Sequence, residues 1–311
     1  MQEIVYSGFS AVKSRLHYAG QRVLSQDRRN RIKHWQASRR KKWAWLYELM
    51  YGKFTAKELV AEIGRRIEND FEILMVHSAY DRLRPMYAGK HQEIIQELMD
   101  LCGKERTLVM PAFVLGGNSG DPLEFYRTRV FDAKRTPSEM GLLTEIFRRM
   151  PGVIRSLHPT HSVSALGPLA EHLTIGHHFA ATPSGRGTPF ETMAQKQTAI
   201  VGLGVEYYRC MTQIHTAEDL VGDDFPVKFE REHAPVTVID ADGVKFVYNL
   251  TIFKTGIAMN CGVVRSLLTR EELQEWRFRG VPLFITSAEK VTSRLVEAAR
   301  RGISVYGCHK S

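Results

Sequence analysis

The 311-residue sequence lacks the segments and cysteine patterns that mark membrane-spanning, secreted and zinc-binding proteins. No stretch approaches the roughly 20 consecutive apolar residues of a transmembrane helix. The N-terminus shows neither the apolar run nor the cleavage site of a secretory signal. Cys102, Cys210, Cys261 and Cys308 lie far apart and form no CxxC pair. We therefore expect a cytoplasmic protein without a membrane span, a disulfide framework or a zinc knuckle.

Two hydrolase signatures are also missing. The sequence contains neither the HExxH of zinc proteases nor the GxSxG of serine hydrolases. Residues that can bind a metal ion do occur at short spacing, as His158 with His161 and as His215 with Glu218. The proline between the two histidines argues against a helix that would direct both rings to the same metal ion. We expect no bound metal, and a metal-dependent hydrolase stays open as an alternative.

Positive charge is in excess and unevenly placed. The net charge is +9 and the isoelectric point about 9.4, which favours an anionic partner. The early basic residues, interleaved with Trp35, Trp43 and Trp45, are Arg28, Arg29, Arg31, Lys33, Arg39, Arg40, Lys41 and Lys42. One interpretation of this segment is a solvated helix whose tryptophans pack on the protein or on a second subunit. The alternative is a non-catalytic protein that uses the segment to contact a membrane or a nucleic acid. We predict a basic extension over 1–54 and the main domain over 55–311, with no nucleic-acid partner and the oligomeric state open.

Strand and helix patterns alternate along the main domain. A capping box begins at Thr55, and the predicted elements after it are strands at 71–76, 107–110 and 198–204, a helix near 287–301 and a strand at 303–306. Asp242-Gly243 is a hairpin-turn signal within residues that alternate apolar and polar. The fold class is therefore α/β, a three-layer α/β/α sandwich with a central mixed sheet and a small antiparallel excursion near 234–262.

Histidines are concentrated before and after the third strand. Six of the twelve histidines fall between residues 158 and 215, namely His158, His161, His172, His177, His178 and His215. A protonated amine cannot attack a thioester, so acyl transfer to an amine needs a base, and an imidazole oriented by a carboxylate suits that task. His177 or His178, paired with Glu218 or Asp219, fits this chemistry at the edge where strand ends bind ligands.

Several blocks, taken in order and spacing, resemble the aminoglycoside 3-N-acetyltransferase family over about residues 55–306. The blocks are LMVHS at 74–78, TLVMPAF at 107–113, FD at 131–132, TPS at 136–138, GLLTE at 141–145, RSLHPTHS at 155–162, ALG at 165–167, His178, the Thr-Pro pairs at 182–183 and 188–189, and TQIHTAE at 212–218. The resemblance implies an acyltransferase that uses acetyl-CoA and a domain over 55–311 that carries this activity.

The resemblance also implies roles for individual residues. His178, ten residues before Thr188, would be the general base that activates the amine, although the adjacent His177 leaves the assignment open by one position. Glu218 would orient that base, and Thr212 and His215 would lie beside the thioester. The residues implied for the cofactor are His77, Ser78, Arg155, Ser156 and Ser162, which would line the tunnel or contact the pantetheine arm and the phosphates.

The acceptor amine is left open between two classes of amino sugar. Aminoglycosides are polycations and would need acidic residues, of which we select Asp81, Asp219 and Asp223 for substrate binding. Further acidic candidates are Asp121, Glu124, Glu218 and Asp224. The net charge of +9 instead favours a phosphate-bearing, nucleotide-linked amino sugar, which members of this fold acylate for surface-glycan synthesis.

Overall fold

The computed structural model describes residues 2–116, 122–254 and 257–308. The helices in these residues are α1 (Gln2–Val23), α2 (Gln26–Lys42), α3 (Ala44–Tyr51), α4 (Ala56–Gly64), α5 (His91–Cys102), α6 (Pro122–Arg127), α7 (Leu142–Phe147), α8 (Ala170–Thr174), α9 (Pro189–Gln195), α10 (Ile214–Val221), α11 (Gly262–Leu267) and α12 (Ala288–Arg300). The strands are β1 (Ile73–Ser78), β2 (Thr107–Pro111), β3 (Val130–Asp132), β4 (Ile154–Arg155), β5 (Val163–Leu166), β6 (Thr198–Leu203), β7 (Glu230–Ile239), β8 (Lys245–Lys254), β9 (Leu273–Phe278), β10 (Val281–Ser287), β11 (Ile303–Ser304) and β12 (Gly307–Cys308).

Seven strands form the central sheet in the order β4-β5-β2-β1-β6-β10-β9. The middle strands β2, β1 and β6 are parallel, whereas β5, β4, β10 and β9 each run antiparallel to a neighbour. β1 lies at the centre because its apolar run, Ile73 to Val76, is buried on both faces. The predicted mixed sheet is confirmed.

Helices cover both faces of this sheet. Along β1, Ile73 and Met75 point into one apolar cluster, which also contains residues of α10 and α12. Leu74 and Val76 point the other way, into a second cluster that contains residues of α4 and α5. The alternation follows from the two-residue period of a strand. The predicted three-layer α/β/α sandwich is confirmed.

Two helix starts show why local sequence predicts these elements well. At α4 the Thr55 side chain accepts the Glu58 N–H at 3.2 Å, and Glu58 accepts the Thr55 N–H at 2.8 Å, which completes the predicted capping box. At α12 the Ser287 hydroxyl accepts the Lys290 N–H at 3.4 Å.

The predicted antiparallel excursion belongs to a separate three-stranded sheet in the order β3-β7-β8, in which β3 is parallel to β7 and β7 is antiparallel to β8. β7 and β8 form a hairpin whose turn is held by Asp240, since its carboxylate accepts N–H bonds from Asp242 and Val244. Gly243 has φ of 87°, a conformation that favours glycine, as the Asp-Gly signal predicts. The hairpin spans 230–254, so it begins earlier and ends sooner than the predicted 234–262, and the added strand β3 was not predicted.

Two features at the C-terminal end differ from the prediction. The β9–β10 hairpin, which completes one edge of the central sheet, was not predicted. The strand predicted at 303–306 is wrong in length, because β11 has two residues, and it pairs with β12 outside that sheet.

The N-terminal helices contact the main domain. Ser14 of α1 is 3% exposed, and the ring of His17 lies 5.6 Å from that of Tyr208. Tyr47 and Tyr51 of α3 pack against the second apolar cluster. The boundary after residue 54 stays a prediction. Within the part of the chain that the structure describes, no helix is long and apolar enough to cross a bilayer.

Candidate active site

A cavity of about 400 Å³ lies beside the segments that follow β2 and β6. Leu115 enters its wall from the chain after β2, and His215, Glu218 and Asp219 enter it from α10. The hairpin β7–β8 contributes Arg231 opposite these acidic residues. The cavity therefore combines imidazole, carboxylate and guanidinium groups near an edge of the central sheet.

His215 and Glu218 form a hydrogen-bonded pair in this cavity. Their spacing of three residues places both side chains on one face of α10, and Nδ1 of His215 lies 2.8 Å from Oε2 of Glu218. Burial lowers the pKa of His215, but the charge and hydrogen bond of Glu218 outweigh burial and raise it overall. Because Nδ1–H donates to the carboxylate, Nε2 is the nitrogen that can accept a proton.

Asp219 is the second carboxylate of the cavity. Its Oδ2 accepts the backbone N–H of Ser184 at 2.8 Å, which fixes the side chain. Burial raises the pKa of Asp219 to about 6, although the Ser184 and Thr182 hydrogen bonds oppose the shift. The group is therefore ionised at neutral pH and protonated in mild acid.

His161 also lines the cavity and is held in one tautomer by Thr160. Nδ1 of His158 already accepts the backbone N–H groups of Thr160 and His161, at 3.3 and 3.1 Å. The Thr160 hydroxyl lies 3.1 Å from that nitrogen and 2.7 Å from Nδ1 of His161, and we assign it as a donor to His161 because the His158 nitrogen already has two N–H donors. His161 is left with Nε2–H as a donor, and burial, helped by His215 and His177, lowers its pKa to about 3.

The structure does not form the predicted pair between His178 and Glu218, because Glu218 accepts from His215 instead. His178 lies on a 3₁₀ turn with its ring 5.3 Å from that of Phe246, and it is not among the described residues that line the cavity. Burial lowers the pKa of His178. This pairing is corrected, and the catalytic role of His178 stays a prediction.

His177, the alternative base, is completely buried with both ring nitrogens engaged. Its Nε2 lies 2.9 Å from the carbonyl oxygen of Pro183, and its Nδ1 lies 2.9 Å from the Ser156 hydroxyl. A carbonyl only accepts, so Nε2–H donates and Nδ1 accepts from Ser156. Burial lowers the pKa of His177 to about 4, while the Pro183 carbonyl opposes the shift. The ring therefore connects two loops.

Arg155, Ser156 and Ser162 have partners other than the predicted cofactor. The Arg155 guanidinium is buried and donates to Ser162 Oγ at 3.0 Å and to the carbonyl oxygens of Ala112 and Thr136. Ser162 donates to Ala112, and Ser156 is occupied by His177. These hydrogen bonds make Arg155 an internal brace, and the cofactor-binding role of the three residues stays a prediction.

His77 and Thr212 meet at the carboxyl end of β1. Oγ1 of Thr212 lies 3.5 Å from Nε2 of His77, so the structure brings together a predicted cofactor residue and a predicted catalytic one. Burial lowers the pKa of His77 to about 4, which keeps the ring neutral. Ser78, the last residue of β1, is half-buried beside them. Their roles stay predictions.

The three predicted substrate-binding acids lie in different settings. Asp219 lines the cavity, and the 93% exposed side chain of Asp223 pairs with Arg231 at 3.2 Å. Asp81 is exposed on the 3₁₀ turn after β1. Asp121, a further acidic candidate, lies outside the described residues. Asp219 is therefore the one of the three that the structure places beside Glu218 in the cavity.

Tyr126, Arg231 and Tyr306 are among the cavity residues that were not selected from the sequence, and His161 was considered there only as a possible metal ligand. His161 lies inside the most specific block, at 155–162, and that position was its available signal. Burial and the neighbouring Glu218 raise the pKa of the Tyr306 phenol. Across residues 2–116, 122–254 and 257–308, no group of three His, Cys, Asp or Glu side chains could hold a metal ion.

Comparisons with known proteins agree with this architecture. A family model described as aminoglycoside 3-N-acetyltransferase matches residues 75–299. Aminoglycoside N(3)-acetyltransferase IX of Micromonospora chalcea is 26% identical over 236 residues, 68% of this chain and 80% of the relative.

Two solved structures share the fold. AAC-IIIb in a binary complex with CoASH is 23% identical with a TM-score of 0.64, and the match covers 78% of this chain and 95% of that one. AAC-VIa bound to sisomicin is 16% identical with a TM-score of 0.63, and the match covers 79% of this chain and 97% of that one. At these identities the likeness shows the fold alone.

Proposed function

The chain belongs to the aminoglycoside 3-N-acetyltransferase family and is an acyltransferase, and we propose that it transfers an acetyl group from acetyl-CoA to a primary amine of an aminoglycoside. The observation that carries this proposal is the His215–Glu218 pair beside Asp219 in one cavity. Two structures of the same fold, one with CoASH and one with sisomicin, support the two substrate classes.

The cavity residues divide the chemistry between them. Acetyl-CoA supplies the acyl thioester. As the amine nitrogen attacks the acyl carbon, Nε2 of His215 takes the proton that the amine must lose, and Glu218 stabilises the resulting imidazolium through Nδ1. When the carbon–sulfur bond breaks, the imidazolium returns this proton to the departing thiolate of CoA. His161 Nε2–H, which stays protonated on a neutral ring, donates a hydrogen bond where negative charge develops on the acyl oxygen. The absence of a metal requirement stays a prediction.

Charge placement favours an aminoglycoside over a nucleotide-linked acceptor. α2 holds eight basic residues and one acidic residue, so it carries seven of the nine net positive charges and the rest of the chain carries two. The net charge therefore gives no reason to expect a phosphate-bearing acceptor at the cavity. Glu218 and Asp219 instead offer carboxylates to ammonium groups.

A substrate panel tests this proposal. Release of free thiol from acetyl-CoA is measured with aminoglycosides, including sisomicin, and with nucleotide-linked amino sugars at equal concentration. We expect turnover with at least one aminoglycoside and none above background with the nucleotide-linked sugars. Turnover confined to nucleotide-linked sugars, or acetyl-CoA hydrolysis that ignores every amine, would contradict the proposed acceptor.

Asp219 gives the acceptor site a defined pH dependence. Because its pKa is about 6, lowering the pH through 6 neutralises the carboxylate, and we expect KM for the aminoglycoside to rise in that range. Asp219→Asn should raise KM about 10- to 100-fold at pH 7.5, since a charged hydrogen bond is lost. In this variant KM should no longer increase as the pH is lowered through 6. Ionisation of Asp219 opposes folding above about pH 6, so the substitution should not lower the free energy of unfolding at pH 7.5.

Asp223→Asn is the matched control, because the Asp223 side chain is 93% exposed. It should leave KM within about twofold of the wild type, as expected for a screened surface pair. An unchanged KM in Asp219→Asn, or an equal rise in both variants, would remove Asp219 from the acceptor site.

A further inference from the structure

An exposed group of apolar side chains lies outside the cavity, on α3, at Trp43 just before it and at Trp35 of α2. We call it the tryptophan face and define it as Trp35, Trp43, Trp45, Leu49 and Met50, which are 57%, 40%, 62%, 75% and 61% exposed. Trp45 and Leu49 are four residues apart and share one side of α3. Tyr47 and Tyr51 hold the other side against the protein core, so the exposed side does not result from an undocked helix.

The neighbouring helix α2 supplies concentrated positive charge. Its net charge is seven, from eight basic residues and one acidic residue within 17 residues. Arg31, Lys41 and Lys42 are exposed. Unlike an amphipathic helix, α2 presents few apolar side chains of its own, among them Trp35, and the other members of the tryptophan face lie on α3 and at Trp43 before it.

We propose that α2 and the tryptophan face bind the surface of an anionic phospholipid bilayer. Clustered Lys and Arg are attracted to anionic headgroups, and tryptophans beside aliphatic side chains suit the interface between headgroups and acyl chains. A second copy on the same face is disfavoured because it would bring two helices of charge +7 together. A nucleic acid would stack bases on the tryptophans but gives Leu49 and Met50 no partner.

Vesicle binding by the full-length protein tests this proposal. Sedimentation is measured with phosphatidylcholine vesicles and with vesicles that also contain phosphatidylserine, at 50 and 500 mM NaCl. We expect binding to the anionic vesicles at low salt, release at high salt, and a blue shift of tryptophan fluorescence on binding. Three of the four tryptophans belong to the tryptophan face, whereas Trp276 is 4% exposed and would not report insertion.

Three matched triple variants separate charge from apolar contact. The charge variant is Arg31→Gln, Lys41→Gln and Lys42→Gln, the apolar variant is Trp45→Gln, Leu49→Gln and Met50→Gln, and the control is Lys104→Gln, Arg270→Gln and Arg300→Gln at exposed positions elsewhere. The charge variant should bind anionic vesicles roughly 100-fold more weakly. The apolar variant should lose most of the blue shift, and the control should bind like the wild type.

Several results would overturn the proposal. These are no binding to anionic vesicles at low salt, equal binding to neutral vesicles, and a loss in the control as large as in the charge variant. A single-stranded oligonucleotide bound equally by wild type and apolar variant, without vesicle binding, would assign the charge to nucleic acid. A dimer that only the apolar variant loses would assign the face to a second copy. None of these residues lines the cavity, so acetyl transfer should persist in all three variants.

Discussion

Replacing His215 by Gln should lower kcat for acetyl transfer by about 10²- to 10⁴-fold, the usual contribution of a positioned general base. Glutamine keeps a polar side chain on α10 but cannot take a proton. Glu218→Gln should also lower kcat, because the amide no longer stabilises the imidazolium that Nδ1–H presents to Oε2 at 2.8 Å. Thiol release at saturating acetyl-CoA and aminoglycoside measures kcat, and thermal stabilisation by acetyl-CoA verifies that the variants still bind it.

His215 and Glu218 act as one unit, so the variant that carries both His215→Gln and Glu218→Gln should be hardly slower than His215→Gln alone. His178→Gln is the matched control, since it removes an imidazole whose ring packs on Phe246. A large loss in His178→Gln with normal turnover in His215→Gln would restore the base assignment that the family resemblance implies. Equal losses in both would mean that each ring handles a proton in the reaction.

Local patterns predicted most of the fold, whereas the one local contact of the site, His215 with Glu218, was not assigned as a catalytic pair. The capping box at Thr55, the apolar run of β1 and the Asp-Gly turn depend on residues close in sequence, and all three formed. The His215–Glu218 contact belongs to the same class, because three residues separate its members on one helix. A contact of this kind follows from helix geometry alone.

The partner of His178 could not be predicted in this way. It depends on how the 3₁₀ turn at His177–Phe179 lies against β8, a contact between segments nearly 70 residues apart. The tautomer of His161 depends on backbone N–H groups that saturate His158, and residue types do not encode that geometry. The internal partners of Arg155 could not be predicted either, because they lie on segments up to 43 residues away in the sequence.

Arg155→Met should therefore destabilise the fold strongly and leave cofactor affinity nearly unchanged. Methionine fills part of the same volume but removes the donor to the Thr136 carbonyl and to Ser162 Oγ, and leaves the Ala112 carbonyl with Ser162 as its side-chain donor. Each such loss costs about 1–3 kcal/mol, so the free energy of unfolding should fall by about 3 kcal/mol or more. Urea denaturation measures that change, and KM for acetyl-CoA is measured on the folded fraction.

Arg135→Met is the matched control for this change, because Arg135 is 90% exposed and lies 3.9 Å from its partner Asp132. It should alter the free energy of unfolding by no more than about 0.5 kcal/mol, as is usual for surface positions. If Arg155 contacted a cofactor phosphate, KM for acetyl-CoA would rise at least tenfold and stability would fall little, since a charged hydrogen bond to the ligand would be lost. The brace predicts the reverse, because Nε and both Nη atoms of Arg155 already donate to internal acceptors.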